Sequence, residues 1–303
     1  MNTDILLESG SNELEILEFS LNGYSYGINV AKVREIIPYE RVTPIPNSHP
    51  SIEGIFMPRE TMITAINLSN CLGQEDTLVG GMFIITNFNK LNMAFHVENV
   101  RGIHRVSWKE IAKPDHSFGS IEDTIISGVV KRNERLIIIL DFEKIITDIN
   151  PETGLRVSEI ESLGERRARS VPILIAEDSP LLNKLIVESL KKAGYENLTH
   201  TENGQQAYDF ICKCKAEGTL REKVRCIITD IEMPMMDGHR LTKLVKSDEA
   251  TANIPVIIFS SLVNDDMKRK GKALGADAQI SKPEVGDLMK IMDELVEKYH
   301  LED

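Results

Sequence analysis

Long apolar runs are missing from the 303-residue sequence. The longer ones, such as 136–140 and 256–259, fall far short of the roughly 18 residues that a membrane-spanning helix requires. The first residues have neither the basic nor the apolar segment of a signal peptide. The sequence therefore predicts a cytoplasmic protein that does not insert directly into a membrane.

Cysteine is also scarce, and acidic residues outnumber basic ones. The four cysteines and seven histidines show no spacing typical of a zinc site, so reduced thiols are predicted. Lys and Arg total 35 against 47 for Asp and Glu, and the net charge is −12. Because such a surface repels nucleic-acid phosphates, we do not expect a nucleic-acid partner.

The length predicts two domains, at about 150 residues per domain. The clearest break in composition lies at 151–170, where Pro-Glu-Thr-Gly precedes a polar segment with closely spaced arginines. We predict a first domain at 1–150, a linker at 151–170 and a second domain at 171–303.

Before the break, short β-branched stretches separated by turn residues are typical of an all-β domain. Stretches 14–21 and 24–28 flank Asn22-Gly23 and predict a hairpin. Apolar residues at helical spacing in 30–37 predict one short helix. Further strands are predicted at 63–68, 82–87, 92–97, 124–131 and 135–140.

After the break, short apolar strands alternate with helical segments such as 181–193 and 204–216. This pattern indicates an α/β domain with a parallel sheet, and five strands with five helices fit a doubly wound, flavodoxin-like fold. The strands are predicted at 171–176, 197–200, 226–229, 254–259 and 278–280.

Charged and hydroxyl side chains follow these strands, at the edge where an open α/β sheet binds its ligands. Three clustered carboxylates repel one another unless a cation lies among them, and hard oxygen ligands suit Mg²⁺. A carboxylate beside Mg²⁺ can attack a phosphoryl group and form an acyl phosphate. The residues concerned are Glu177, Asp178, Asp230, Ser260 and Lys282.

Two motifs make this chemistry specific. Residues 230–238 read Asp-Ile-Glu-Met-Pro-Met-Met-Asp-Gly, and 281–283 read Ser-Lys-Pro. They resemble the Asp-x-x-Met-Pro-x-Met-Asp-Gly and Lys-Pro elements of response-regulator receiver domains, and the resemblance covers 171–303. It implies a non-enzymatic signalling domain whose Asp230 accepts a phosphoryl group from a histidine kinase, with Mg²⁺ as cofactor. It also implies that Glu177, Asp178, Asp230 and the backbone carbonyl of Glu232 hold the metal, while Ser260 and Lys282 contact the phosphoryl oxygens.

Two positions depart from the commonest receiver pattern or add to it. Gln279 stands where many receivers have an aromatic residue that rotates on activation. The acidic side chain of Glu232, two residues after the phosphoacceptor, is placed to contact attacking water and alter the acyl-phosphate lifetime, in a direction the sequence leaves open.

Residues 13–147 resemble a CheW-type coupling domain through Tyr26-Gly27-Ile28, Thr43-Pro44-x-Pro46 and Ser127-Gly128, among other matches. Where that family typically reads Asn-Leu-Arg-Gly, this chain reads Met-Pro-Arg-Glu at 57–60. The resemblance implies paired small β-barrels whose grooves bind the cytoplasmic tip of a chemoreceptor and the chemotaxis histidine kinase. Expected contact residues are Arg59 and the exposed apolar side chains of Val33, Ile36, Val97 and Val100.

The order of a coupling domain followed by a receiver resembles the CheV-type chemotaxis coupling proteins. It implies an adaptor, recruited to membrane-bound receptor clusters, in which phosphorylation of Asp230 adjusts kinase coupling during adaptation. Two alternatives stay open: a receiver acting mainly as a phosphate sink, and a haloacid-dehalogenase-type phosphatase. The second alternative rests on Asp230-x-Glu232, although Pro234 stands where that family expects threonine.

Overall fold

The computed structural model describes residues 13–88, 91–112, 125–132, 134–150, 169–261, 265–282 and 284–301. These residues divide into two compact units, with the division at residue 151. Of the predicted linker at 151–170, all but Arg169 and Ser170 lies outside the described residues.

Strands dominate the described part of the first unit. The strands are β1 (Glu13–Leu21), β2 (Tyr24–Asn29), β3 (Val33–Pro38), β4 (Ile52–Phe56), β5 (Ile63–Asn67), β6 (Met82–Phe88), β7 (Leu91–Val97), β8 (Asn99–Ser107), β9 (Ile126–Arg132) and β10 (Arg135–Leu140). The α-helices are α1 (Leu68–Cys71) and α2 (Phe142–Ile149).

These strands form two five-stranded sheets, ordered β8-β1-β2-β10-β9 and β3-β6-β7-β5-β4. A shared apolar core includes Phe19 of the first sheet, Phe95 of the second and Phe142 of α2. The prediction of an all-β first domain is thereby confirmed. The predicted hairpin is also confirmed, because Asn22 and Gly23 turn between β1 and β2 with φ of 50° and 79°.

The predicted helix at 30–37 is wrong. A single 3₁₀ turn covers Val30–Lys32, and Val33–Pro38 then forms β3, which pairs antiparallel with β6. Burial alternates along β3, with Ile37 half-buried beside the more exposed Ile36. The β-branched residues therefore follow the two-residue period of a strand, because pairing with β6 overrides their helical spacing.

The second unit alternates strands and helices throughout its described residues. The strands are β11 (Ile173–Ala176), β12 (Leu198–Thr201), β13 (Cys226–Thr229), β14 (Val256–Ser260) and β15 (Ala278–Ser281). The helices are α3 (Pro180–Lys192), α4 (Gly204–Ala216), α5 (Leu220–Lys223), α6 (Gly238–Ser247), α7 (Asp265–Ala273) and α8 (Val285–Lys298).

All five strands of the second unit are parallel, in the order β12-β11-β13-β14-β15. This is the flavodoxin-like order, so the predicted doubly wound fold is confirmed. Adjacent residues of β11 point to opposite faces. Ile173 and Ile175 join the core beneath α3 and α8, whereas Leu174 and Ala176 join the core beneath α4 and α6. The polar side chains that follow the strands are thus held by two packed layers.

Candidate functional site

Three carboxylates meet at the carboxyl edge of the parallel sheet. Glu177 and Asp178 directly follow β11, and Asp230 directly follows the neighbouring β13. One oxygen from each side chain lies within 4.8 Å of the other two. Glu177 and Asp230 are buried, while Asp178 is half-buried and opens the cluster towards solvent.

A buried ammonium lies beside two of these carboxylates. Lys282 Nζ is 2.9 Å from Asp230 Oδ2 and 3.2 Å from Glu177 Oε2, and the lysine side chain is only 5% exposed. Three negative charges against one positive charge leave two uncompensated at this edge. Since buried charge is costly without a counter-ion, the donor set fits a divalent cation that prefers oxygen ligands, such as Mg²⁺.

The backbone around Asp230 fixes the orientation of its carboxylate. Asp230 Oδ1 accepts a hydrogen bond of 2.6 Å from the amide of Ile231, which leaves Oδ2 for Lys282. A Cβ at Gly238 would lie 1.9 Å from the carbonyl oxygen of Asp230. Only glycine therefore lets the start of α6 approach this closely, which explains the glycine that ends the 230–238 motif.

Ser260 and Glu232 flank this group. Ser260 ends β14 and is fully buried, and its carbonyl accepts a hydrogen bond of 3.2 Å from the amide of Lys282. Glu232 is half-buried in the segment between β13 and α6. The assignment of its backbone carbonyl to a metal stays a prediction, as do the roles of Ser260 and the other site residues.

Gln279 in β15 contacts α7 through its side chain. Its Nε2 donates a hydrogen bond of 3.0 Å to the carbonyl of Lys268. A Cβ at Gly271, in the same helix, would lie 1.9 Å from that Nε2. The Gln279 side chain therefore fills the space beside Gly271, where the helix has no side chain. The sequence did not predict this contact.

Arg59 lies in the segment between β4 and β5 of the first unit. Its side chain is 83% exposed, and its Nη1 is 3.5 Å from Glu35 Oε2. Met57 and Met62, two residues before and three residues after Arg59 in the sequence, are also exposed, and the sequence analysis did not single them out as contact residues. Glu60 has a φ of 66°, a left-handed conformation that favours glycine, and it stands where the coupling-domain pattern has glycine.

The predicted apolar contact residues differ in exposure. Ile36 is 36% exposed, whereas Val33 and Val100 are half-buried against the core of the first unit. The expectation that Val97 is exposed is wrong: this residue of β7 is fully buried in that core. Its side chain falls on the inward face of the strand, and the sequence alone did not reveal which face that is.

Comparisons with known proteins match both units. A model of the CheW-like domain matches residues 15–150, and a model of the response regulator receiver domain matches residues 173–293. Chemotaxis protein CheV3 of Helicobacter pylori is 30% identical over 306 residues, which cover 95% of this chain and 96% of that protein. Chemotaxis protein CheV2 of the same organism is 27% identical over 308 residues, with coverages of 93% and 94%. These matches confirm both predicted domain resemblances.

A shorter relative covers the first unit alone. Chemotaxis protein CheW of Thermotoga maritima is 28% identical over 152 residues, which cover 49% of this chain and 98% of that protein. Within the described residues, every helix is too short or too polar to cross a membrane.

Proposed function

Because the chain belongs to the CheV family of chemotaxis proteins, we propose that it is an adaptor between chemoreceptors and the chemotaxis histidine kinase, adjusted by phosphorylation of Asp230. The carrying observation is the buried contact of Lys282 with Asp230, beside two further carboxylates. In this proposal residues 1–150 form the coupling domain, residues 151–170 the linker, and residues 171–303 the receiver domain that accepts the phosphoryl group. The adaptor joins receptor clusters at the membrane through protein contacts, without inserting into the bilayer.

In the proposed transfer, an oxygen of Asp230 attacks the phosphorus of a phosphohistidine on the kinase. The new bond joins that oxygen to phosphorus, and the bond from phosphorus to the histidine nitrogen breaks, leaving its electron pair on the nitrogen. Glu177, Asp178, Asp230 and the carbonyl of Glu232 would hold Mg²⁺, which supplies positive charge to the phosphoryl oxygens when bound.

The chain itself supplies the remaining groups. Lys282 exchanges its contact with Asp230 Oδ2 for a phosphoryl oxygen, because the negative charge moves outward from the carboxylate to the phosphoryl group. Ser260, at the end of the adjacent strand, donates a hydrogen bond to another phosphoryl oxygen. Ser260 and Lys282 lie at the strand ends that precede α7 and α8.

Coupling is assigned to the first unit. Arg59 is highly exposed, and the nearby positions Met57 and Met62 in the sequence are exposed too. Arginine and methionine side chains are both common at protein interfaces. Ile36 adds an exposed apolar side chain on β3. Val33 and Val100, half-buried against the core, stay candidate contact residues. We assign no contact role to Val97, because it is buried.

The test is sedimentation of the full chain with receptor-containing membranes and the chemotaxis kinase. It is run with and without Mg²⁺ plus beryllofluoride, a phosphoryl mimic. Binding or kinase activity that changes with the mimic, and fails to change in Asp230→Asn, supports the proposal. If binding is the same with and without the mimic, but the protein still takes phosphoryl groups from the kinase, the receiver acts as a phosphate sink. Absence of binding in both conditions overturns the adaptor assignment.

A further inference from the structure

Arg169 is held to the second unit by its backbone. Its amide donates a hydrogen bond of 2.7 Å to the carbonyl of Gly194, and its backbone forms a short parallel bridge with Tyr195. The backbone of Arg169 is therefore fixed to the second unit.

The side chain of Arg169 reaches a different element. Its Nη2 lies 3.7 Å from Asp293 Oδ1 on α8, and its guanidinium carbon lies 5.9 Å from the ring centre of Tyr195. The hydroxyl of Tyr195, itself fully buried, donates a hydrogen bond of 2.8 Å to the same Asp293 oxygen. The two charged side chains are only 25% and 24% exposed. This pair is therefore less screened than an ordinary surface ion pair.

Helix α8, whose Asp293 contacts Arg169, begins beside the candidate phosphoryl site. Lys282, which contacts Asp230, lies three residues before Val285, the first residue of α8. Asp293 lies eight residues further along, about 12 Å at 1.5 Å per residue. Leu288 and Met292 are buried in the core with residues of the sheet, so we expect α8 to respond as one packed element.

We propose that Arg169 is a positioning residue for the phosphorylation response. It ties the end of the linker to α8, so that a change of partner at Lys282 shifts the helix and thereby that end of the linker. This inference rests on the proposed function and specifies its route. A variant that breaks the contact with α8 and leaves the phosphoryl site and the coupling surface intact tests this route.

Arg169→Ala is that variant in the full-length protein. It removes the contact with α8 but keeps the backbone hydrogen bond to Gly194. In the parent, the mimic should change affinity for receptor membranes and kinase by about fivefold or more. In Arg169→Ala the ratio of the affinities with and without the mimic should fall towards one. The affinity without the mimic should stay at the parental value, and the free protein should still bind beryllofluoride.

Further variants separate a specific role from general damage. Asp293→Asn removes the charge and keeps an acceptor for Tyr195, so it should lose the response as Arg169→Ala does. The exchanged pair Arg169→Asp with Asp293→Arg should recover part of it. Lys290→Ala is the matched control, because Lys290 lies exposed on α8 and pairs with Asp287. That control should respond as the parent does.

A parental response in both Arg169→Ala and Asp293→Asn overturns this inference and leaves the proposed function intact. Loss of response in Lys290→Ala overturns it as well, because any change on α8 would then have the same effect. A parent that ignores the mimic overturns the proposed function and this inference together.

Discussion

Lys282 Nζ lies 2.9 Å from Asp230 Oδ2, and both side chains are buried. The contact places the Lys282 ammonium where the proposed phosphoryl group would arrive. It also compensates buried negative charge in the present state of the protein. The same lysine therefore contributes to stability and to the proposed signal.

Lys282→Met should destabilise the second unit. Removing one partner of a buried ion pair leaves the carboxylates of Asp230 and Glu177 uncompensated, a cost of about 3 kcal/mol. Urea denaturation at neutral pH measures this loss, which added Mg²⁺ should partly restore. Lys290→Met, on the exposed face of α8, is the control and should change little. Equal stability of the two variants would contradict the assigned role.

Gly271 and Gln279 should behave non-additively. Gly271→Ala alone should gain nothing or lose stability, because the new methyl group displaces the Gln279 amide from its hydrogen bond to Lys268. In a Gln279→Ala background the same change should stabilise by about 1 kcal/mol, the usual preference of a helix for alanine over glycine. A double-mutant cycle of unfolding free energies measures the difference. Equal effects in both backgrounds would refute the contact.

Glu60→Gly should stabilise the first unit. Glu60 has a φ of 66°, and a left-handed conformation costs a non-glycine residue about 1 kcal/mol. Glycine removes that strain but gains entropy in the unfolded chain, so a net gain of roughly 0.5 kcal/mol is expected in thermal unfolding. Glu60→Ala is the matched control, since it removes the carboxylate and retains the strain. A gain as large in the alanine variant would point to charge instead of backbone conformation.

His96 should make the stability of the first unit depend on pH. Its Nδ1 is 3.0 Å from Glu53 Oε2 and its Nε2 is 2.7 Å from the carbonyl of Gly80. Only the doubly protonated ring donates to both. Burial opposes this charge, but the hydrogen bonds to Glu53 and Gly80, together with the negative charges of Glu53 and Asp76, outweigh burial and raise the pKa of His96 above its ordinary value.

Because the folded pKa of His96 is raised, its stabilising effect is complete below the unfolded value of about 6.5 and is lost as pH rises through the folded pKa. Denaturation midpoints of the parent and His96→Gln, measured across this range, should converge at high pH. A difference that grows with pH would reverse the sign and disprove the assignment.

The spacing of apolar residues and the positions of turn residues predict most of the fold. The Asn22-Gly23 turn fixes one hairpin locally, and five apolar stretches fix the parallel sheet. Strands β4 and β8 escaped prediction, because glycines at Gly54 and Gly102 interrupt their apolar pattern. The helix predicted at 30–37 failed because pairing with β6 is a long-range contact that local spacing does not encode.

The candidate site is predictable to a similar extent. The acidic residues lie after predicted strands, so their convergence follows from topology. The exposure of side chains in the first unit does not follow from topology. If the inward face of a strand is assigned one residue out of register, the buried Val97 is predicted to be a surface residue. Contacts between distant segments, such as Arg169 with Asp293, leave no local signal at all.

The parallel pairing of β10 with β2 sets an order of events during synthesis. The first sheet needs residues 24–29 and 135–140 together, whereas all five strands of the second sheet come from the intervening chain. During synthesis the β2 edge of the early hairpin therefore has no partner until β10, near the end of this unit, has been made. That exposed edge is the point at which a nascent chain is open to mispairing and to chaperone binding.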